Sequence, residues 1–208
     1  MYTLFIKNGI VWSMLFLTCL FFSCSNSDSF KEKKSLSISN CNFEGIKTGD
    51  IVLKRGKGKV SRMITDYFKE KVPLSHCGVV VCAPDSTFIV HSVAEGYARK
   101  DGVQTILLNE FLKDCQANYF YIVRKKTSQD LSELFASKAL AYAQQNIRFD
   151  DDANNADKNE MSCTELIYWC QKEVYNSSDL TTIKIINKDV FVFNGLLDTS
   201  KYEIIKHY

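Results

Sequence analysis

The segment HCGVVVC-APDS-TFIVHSV, residues 76–93, consists of two runs rich in β-branched residues on either side of a four-residue turn segment. This pattern is typical of a β-hairpin. We expect Cys82 to pair with Thr87 across the turn. In that register His76 and His91 share one face as diagonal neighbours, about 7–8 Å apart by backbone. A slip of one residue would place the two imidazoles on opposite faces, so their pairing depends on the register.

A second motif, SCTE at residues 162–165, precedes the apolar run LIYWC. It matches the S-x-x-E capping box, in which a Ser hydroxyl and a Glu carboxylate bond backbone amides at a helix start. Ser162 is then the N-cap and Cys163 the first helical residue. At that position the unpaired amides and the positive end of the helix dipole favour a thiolate. A cysteine can also begin a helix without any catalytic role, and that alternative stays open here.

Three histidines occur in the chain, and the third, His207, is expected at the surface near the C-terminus. His76, His91 and Cys163 are therefore the most economical cysteine–histidine set. In such a set one imidazole takes the thiol proton and returns it to the leaving group, while a polar residue orients that imidazole. We assign these roles to His76 and His91, with the backbone N–H of Cys163 as an oxyanion donor. The same three side chains could instead bind zinc and leave one position for water.

Other segments carry helix or strand patterns. The predicted strands are 51–53, 119–123, 183–186 and 190–193, and the predicted helices are 60–68, 107–113 and 128–145. The aromatic residues of the first helix, Tyr67 and Phe68, are interpreted as core. The apolar side of the third helix is assigned to Leu131, Leu134, Phe135 and Tyr142.

The composition describes an ordinary globular chain of 208 residues, 46% of them hydrophobic. Wholly disordered and collagen-like classes are excluded. The net charge is only +2, which argues against a nucleic-acid partner. No nucleotide, haem or flavin motif occurs, and the acidic segment 150–157 lacks the glycine and glutamate spacing of an EF-hand. We therefore expect no cofactor and no metal.

The N-terminus carries the pattern of an export signal. Residues 1–23 contain one charged side chain and an apolar run that is too short to span a bilayer comfortably. The run ends at Cys24 before a polar stretch, which resembles a bacterial lipoprotein signal in which Cys24 is lipidated. We expect a signal peptide at 1–23, a polar tether at 24–40 and one domain at 41–208, in the cell envelope and attached to the membrane only through that lipid. Simple secretion and an uncleaved anchor are the alternatives.

Eight cysteines occur, of which Cys19 lies in the signal and Cys24 is the lipid candidate. The other six are Cys41, Cys77, Cys82, Cys115, Cys163 and Cys170. They form no CxxC pair, so a zinc ribbon is not indicated. Cys77 and Cys82 lie in an apolar strand and are interpreted as buried free thiols that act as small hydrophobes. Disulfides among the cysteines other than Cys163 stay an open question.

Four segments together resemble the permuted papain-like amidases. This YiiX/YaeF-like family is a circularly permuted branch of the NlpC-type cell-wall peptidases and is similar to lecithin:retinol acyltransferase. The segments are GDIV at 49–52, SHCGVV at 75–80, FIVHSV at 88–93 and SCTELIY at 162–168. In papain-like enzymes the nucleophile helix precedes the histidine strand, whereas here the strand comes first, as permutation requires. The resemblance implies an α+β, circularly permuted papain-like (NlpC-type) fold, with an antiparallel sheet packed against helices.

The resemblance also implies an activity. The protein would be an exported enzyme that hydrolyses an amide bond, in a cell-wall peptide or an N-acyl lipid, through a thioester intermediate. It makes Cys163 the nucleophile, His76 the general base and acid, and His91 the third polar residue. Relatives of this branch often carry Glu where this chain has His91, whereas the acyltransferase-like relatives carry His. An acyltransferase of the same fold is therefore an alternative, as is a non-catalytic binding lipoprotein in which Cys163 is unreactive.

Overall fold

The structure is a computed structural model that describes residues 35–96, 100–152 and 157–208. The predicted signal peptide, Cys24 and most of the predicted tether lie outside these residues. Within the three described stretches, no helix combines the length and the apolar character needed to cross a bilayer.

The described residues form a mixed α and β structure. The strands are β1 (Ile51–Gly56), β2 (His76–Ala83), β3 (Ser86–Val93), β4 (Gly102–Leu107), β5 (Cys115–Lys125), β6 (Thr181–Ile185), β7 (Lys188–Val192) and β8 (Tyr202–His207). The helices are α1 (Lys59–Phe68), α2 (Leu108–Leu112), α3 (Gln129–Gln144) and α4 (Cys163–Tyr175), with short 3-10 turns at Ile38–Asn40 and Asn194–Leu197.

Six strands form one antiparallel sheet in the order β4-β3-β2-β1-β5-β8, and β6 pairs with β7 separately. Side chains alternate between the two faces of the sheet because the strand period is two. Val79 of β2 belongs to the core under α3 and α4, together with Phe135 and Leu166. The neighbouring Val80 belongs to the opposite core, under α2, together with Phe111. This is the predicted α+β fold.

The β2–β3 hairpin has the predicted register, with Cys82 opposite Thr87. Close strand contact depends on Gly78. A Cβ at that position would lie 2.4 Å from Cγ2 of Ile89 and 2.9 Å from the carbonyl oxygen of Val90. These distances are shorter than van der Waals contact, so a side chain at residue 78 would push β3 away.

Two strands of the main sheet, β4 and β8, were not predicted. Both lie at the edges of the sheet. Their sequences, GVQTIL and YEIIKH, mix polar and apolar residues without a strong alternation. An edge strand is hydrogen-bonded on one side only. Backbone pairing of β4 with β3, and of β8 with β5, therefore determines that these segments are strands more than their amino-acid composition does.

Several burial predictions are wrong. Tyr67 is 60% exposed, because it lies on the outer side of α1. Phe68, in contrast, packs against the core beside Phe193, as predicted. Leu131 and Leu134 are exposed at 37% and 46%. Helix α3 buries the small residues Ala136 and Ala139 instead, beside the correctly predicted Phe135 and Tyr142. Small side chains allow closer packing of a helix onto its neighbours, and the leucines then face outward.

Candidate active site

The capping box predicted at the start of α4 is present. The Ser162 hydroxyl accepts a hydrogen bond from the amide of Glu165 at 3.3 Å, and the Glu165 carboxylate accepts one from the amide of Ser162 at 2.7 Å. Cys163 is therefore the first residue of the helix, where backbone N–H groups have no partner within the helix. Its side chain is half-buried and lines a cleft.

His76 and His91 contact each other across the hairpin, as its register predicts. Nε2 of His76 lies 2.8 Å from Nδ1 of His91, with the two rings nearly perpendicular at 78°. This bond occupies Nε2 of His76 and leaves its Nδ1 free. His76 is also close enough to Cys163 to lower the pKa of its thiol. One imidazole thus neighbours both the thiol and the second imidazole.

Phe111 and Lys54 hold the imidazole pair in place, and sequence reasoning missed both. The Phe111 ring stacks on His76 at a centroid distance of 5.3 Å and meets His91 edge-on at 5.6 Å. Nζ of Lys54 lies 4.3 Å from the Phe111 centroid, a favourable cation–π distance, and donates hydrogen bonds to the Phe111 carbonyl and to Asp114. The sequence signal that could have pointed to Lys54 is a lysine within the apolar run of β1. In the β1–β2 register this lysine lies opposite His76.

His91 is neutral at ordinary pH. Burial lowers its pKa well below the usual histidine value, and the charges of His76 and Lys54 lower it further. When Nε2–H of His76 donates a hydrogen bond to Nδ1 of neutral His91, His91 carries its own proton on Nε2. In this tautomer pair Nδ1 of His76 is free to accept the thiol proton.

The pKa of the Cys163 thiol is well below its ordinary value. The proximity of the Cys77 side chain is the largest cause, and the proximity and charge of His76 add to it, while burial opposes both. In the structure the Cys77 thiol donates its hydrogen bond to the carbonyl oxygen of Cys163 at 3.2 Å. Burial raises the pKa of Cys77, so it stays protonated and acts as the donor. Sequence reasoning treated Cys77 only as a small apolar residue.

Two buried carboxyl groups lie behind the start of α4. Asp150 and Glu165 are 3% and 1% exposed, respectively. Burial raises the pKa of Glu165 to about 7, against the opposing hydrogen bonds from Ser162, and the proximity of Asp150 raises it further. The capping carboxylate of the nucleophile helix thus titrates near neutral pH.

A cleft of about 1040 Å³ gives access to the three predicted residues Cys163, His76 and His91. One part of its lining is apolar: Val60, Ile64, Ile106, Leu107 and Phe149. Another part is polar or charged: Lys54, Ser61, Ser75, Glu110, Lys113 and Asp114. The cleft therefore offers both apolar and polar surface to a substrate beside the thiol.

The remaining candidates lie elsewhere. His207 is exposed, as predicted, and stacks on Tyr121 at 4.1 Å. Cys82, predicted to be buried, is exposed because it lies near the turn end of β2, whereas Cys77 is buried as predicted. All six cysteines in the described residues are free thiols.

The potential ligands of the site do not form a zinc centre. Among the described residues, no three His, Cys, Asp or Glu side chains come together as metal ligands. The bond between His76 and His91 also occupies one nitrogen of each ring. The arrangement fits proton transfer between paired groups better than it fits a tetrahedral metal.

Comparisons with known proteins agree with this fold. The family model described as the permuted papain-like amidase enzyme, YaeF/YiiX, C92 family, matches residues 45–197. The crystal structure of the metalloprotein YiiX from Escherichia coli O157:H7 is similar in fold, with a TM-score of 0.64 at 13% sequence identity. The match covers 78% of this chain and 97% of that one. No curated protein matches this chain.

Proposed function

Because the chain belongs to the permuted papain-like amidase family, we propose that it is a cysteine amidase or peptidase with Cys163 as its nucleophile. One observation carries this proposal: Cys163 lines the same cleft as His76 and His91, whose imidazoles lie 2.8 Å apart, and the proximity of His76 lowers the pKa of the Cys163 thiol. The family supports cleavage of an amide bond, and the contact supports the role of each side chain.

In the first step the Cys163 thiolate attacks the amide carbonyl carbon and a C–S bond forms. The negative charge on the carbonyl oxygen is stabilised by the backbone N–H of Cys163, at the positive end of α4. The tetrahedral intermediate then collapses, the C–N bond breaks, and the His76 imidazolium gives its proton to the departing amine. The product of this step is a thioester on Cys163.

In the second step water attacks the thioester. Neutral His76 takes a proton from that water, and the C–S bond breaks to release a carboxylic acid and the Cys163 thiolate. His91 stays neutral throughout and holds His76 in the productive orientation. No step requires a metal ion.

The substrate is an amide, either in a peptide or in an N-acyl compound. The mixed lining of the cleft is compatible with either class. If an amine or alcohol replaces water in the second step, the same residues transfer an acyl group, which is the second candidate function. We also propose that the protein is exported and that Cys24 is lipidated, because this location would bring the enzyme to a substrate in the cell envelope.

The test is a screen of peptide amides and N-acyl amides, followed by product analysis. We expect hydrolysis by the wild type and its loss in Cys163→Ala and His76→Ala, with folding checked by circular dichroism. A chelator should leave the activity unchanged, whereas its loss would indicate a metal site. If either variant is folded and as active as the wild type on a cleaved substrate, the assignment of Cys163 and His76 is wrong.

A further inference from the structure

Cys77 contacts the nucleophile from inside the protein. It follows His76 directly on β2, and its side chain points to the opposite face of the sheet, into the core under α4. The residue is 0% exposed. Its sulfur lies 3.2 Å from the carbonyl oxygen of Cys163. The hydrolysis proposed above gives Cys77 no step of its own, so its sulfur chemistry is unused.

We propose that Cys77 is a resolving cysteine: a hydroperoxide that enters the cleft oxidises Cys163, and Cys77 then forms a disulfide with it. The disulfide would inactivate the site reversibly and protect Cys163 from irreversible oxidation. This inference rests on the nucleophilic Cys163 of the proposed function, but not on the identity of its substrate.

The first step consumes the hydroperoxide. The Cys163 thiolate attacks one peroxide oxygen, an S–O bond forms and the O–O bond breaks. The alkoxide or hydroxide that leaves takes the proton of the His76 imidazolium. Sulfur is oxidised by two electrons, the peroxide is reduced by two, and Cys163 becomes a sulfenic acid.

The second step forms the disulfide. The sulfur of Cys77 attacks the sulfur of Cys163, the S–S bond forms and the S–O bond breaks. The departing hydroxide combines with the proton lost by Cys77 to give water. A dithiol can later reduce the bond and return both thiols, while it becomes a disulfide itself.

The positions of the two residues favour this order of events. Cys163 lines the cleft and Cys77 is buried, so an oxidant meets Cys163 first. The Cys77 sulfur lies 3.2 Å from the backbone carbonyl oxygen of Cys163, so a short movement of the side chains brings the two sulfurs together. A disulfide needs Cα atoms about 4.4–6.8 Å apart, which neighbouring residues of packed elements can satisfy.

Oxidation also prepares Cys77 for its attack. Burial raises the pKa of Cys77, and the hydrogen bond and charge of Cys163 raise it further. The last contribution requires a charged Cys163. Once Cys163 is an uncharged sulfenic acid, this contribution is lost and Cys77 releases its proton more readily.

The other described cysteines are placed less well. Cys82 lies five residues further along β2 and is exposed, about 16 Å from Cys77 at the usual strand rise. Cys170 lies two helical turns beyond Cys163 on the same helix, and burial raises its pKa. Of the six cysteines in the described residues, Cys77 is the one whose sulfur lies within hydrogen-bond distance of Cys163, at its backbone carbonyl oxygen.

The experiment treats the reduced protein with hydrogen peroxide and analyses it by mass spectrometry without reduction. We expect the wild type to lose the mass of two hydrogen atoms and to yield a cross-link between tryptic peptides 72–99 and 159–172. Each peptide holds a second cysteine, Cys82 and Cys170 respectively, so fragment ions must place the bond at Cys77 and Cys163. Dithiothreitol should restore alkylation of Cys163 in full.

The matched control is Cys77→Ser, which keeps a hydrogen-bond donor but cannot form the bond. We expect its Cys163 to gain oxygen atoms as sulfenic and then sulfinic acid, and its alkylation to stay lost after dithiothreitol. A Cys82→Ser variant should behave as the wild type. The inference is overturned if wild-type Cys77 stays a free thiol while Cys163 is oxidised, or if Cys163 resists peroxide.

This outcome can be separated from the test of the proposed function. A protein that cleaves no amide but forms the disulfide supports the inference and contradicts the amidase assignment. A protein that cleaves amides but accumulates sulfinic acid at Cys163, with Cys77 unchanged, contradicts the inference alone.

Discussion

Nδ1 of His91 lies 2.8 Å from Nε2 of His76, while Nε2 of His91 is buried and has no hydrogen-bond partner among the described residues. A buried donor without a partner costs free energy, on the order of 1–3 kcal/mol. The fold tolerates this cost at the residue that orients His76. We interpret His91 as a positioning residue that acts through His76 and not on the substrate.

Replacing His91 should weaken catalysis without abolishing it. Loss of one buried hydrogen bond of about 1–3 kcal/mol corresponds to roughly a 5- to 160-fold lower kcat/KM for His91→Ala. His91→Asn keeps an acceptor for His76 and should recover part of the loss. The measurement is the pH profile of kcat/KM for the three proteins. Identical profiles and rates in wild type and His91→Ala would contradict the positioning role.

The reactivity of Cys163 should depend on both of its neighbours. Because Cys77 and His76 lower its pKa, we expect alkylation of the wild-type thiol well below the ordinary thiol pKa of about 8.5. Cys77→Ala and His76→Ala should each shift the alkylation profile to higher pH, whereas Cys77→Ser should shift it less than Cys77→Ala. The readout is the alkylation rate of Cys163 by mass spectrometry at a series of pH values. Superimposable profiles for the wild type, Cys77→Ala and His76→Ala would show that neither neighbour affects the thiol.

Protein stability should fall as the pH rises through neutrality. The folded-state pKa of Glu165 is about 7, above its ordinary value of 4.5. The folded protein therefore binds this proton more tightly than the unfolded chain, so the stabilisation is complete below about pH 4.5 and is lost as the pH passes 7. We expect a decrease of about 1–3 kcal/mol in the free energy of unfolding between pH 5 and pH 8.

Glu165→Gln provides the control for this prediction. Its side-chain oxygen can still accept the amide hydrogen bond of Ser162, but the residue no longer titrates. Urea unfolding at several pH values should give a flatter dependence for the variant than for the wild type. Parallel curves would assign the pH dependence to other groups.

Gly78→Ala should destabilise the protein although it adds one methyl group. That Cβ would lie 2.4 Å from Cγ2 of Ile89 and 3.2 Å from Cβ of His91. Overpacking of this kind typically costs about 1–3 kcal/mol, and displacement of β3 would also move His91 away from His76. We therefore expect lower thermal stability and a lower kcat/KM together. An unchanged melting temperature would mean that the hairpin can widen freely.

The local parts of the site could be predicted from the sequence. The hairpin register follows from two strand patterns and a short turn, and it places His76 against His91. The start of α4 follows from the four-residue capping box, which places Cys163 at the first helical position. In both cases the relevant contacts join residues that are close along the chain.

The tertiary surroundings could not be predicted in this way. Lys54 and Phe111 reach the imidazoles through packing between β1 and α2, and no local pattern encodes that contact. The same applies to Cys77 and Cys163, which are 86 residues apart in the chain. The apolar residues of α1 carry a helical period, but a period does not tell which helix face stays open to the cleft.

The separation of the nucleophile from its activating groups has a consequence for the timing of reactivity. The hairpin that carries Cys77 and His76 can form from neighbouring residues, but α4 must dock on it before Cys163 meets either side chain. Until then Cys163 is an ordinary thiol with an ordinary pKa. The chain thus carries no activated nucleophile while it is unfolded, and reactivity arises only with a contact between residues that are 86 positions apart.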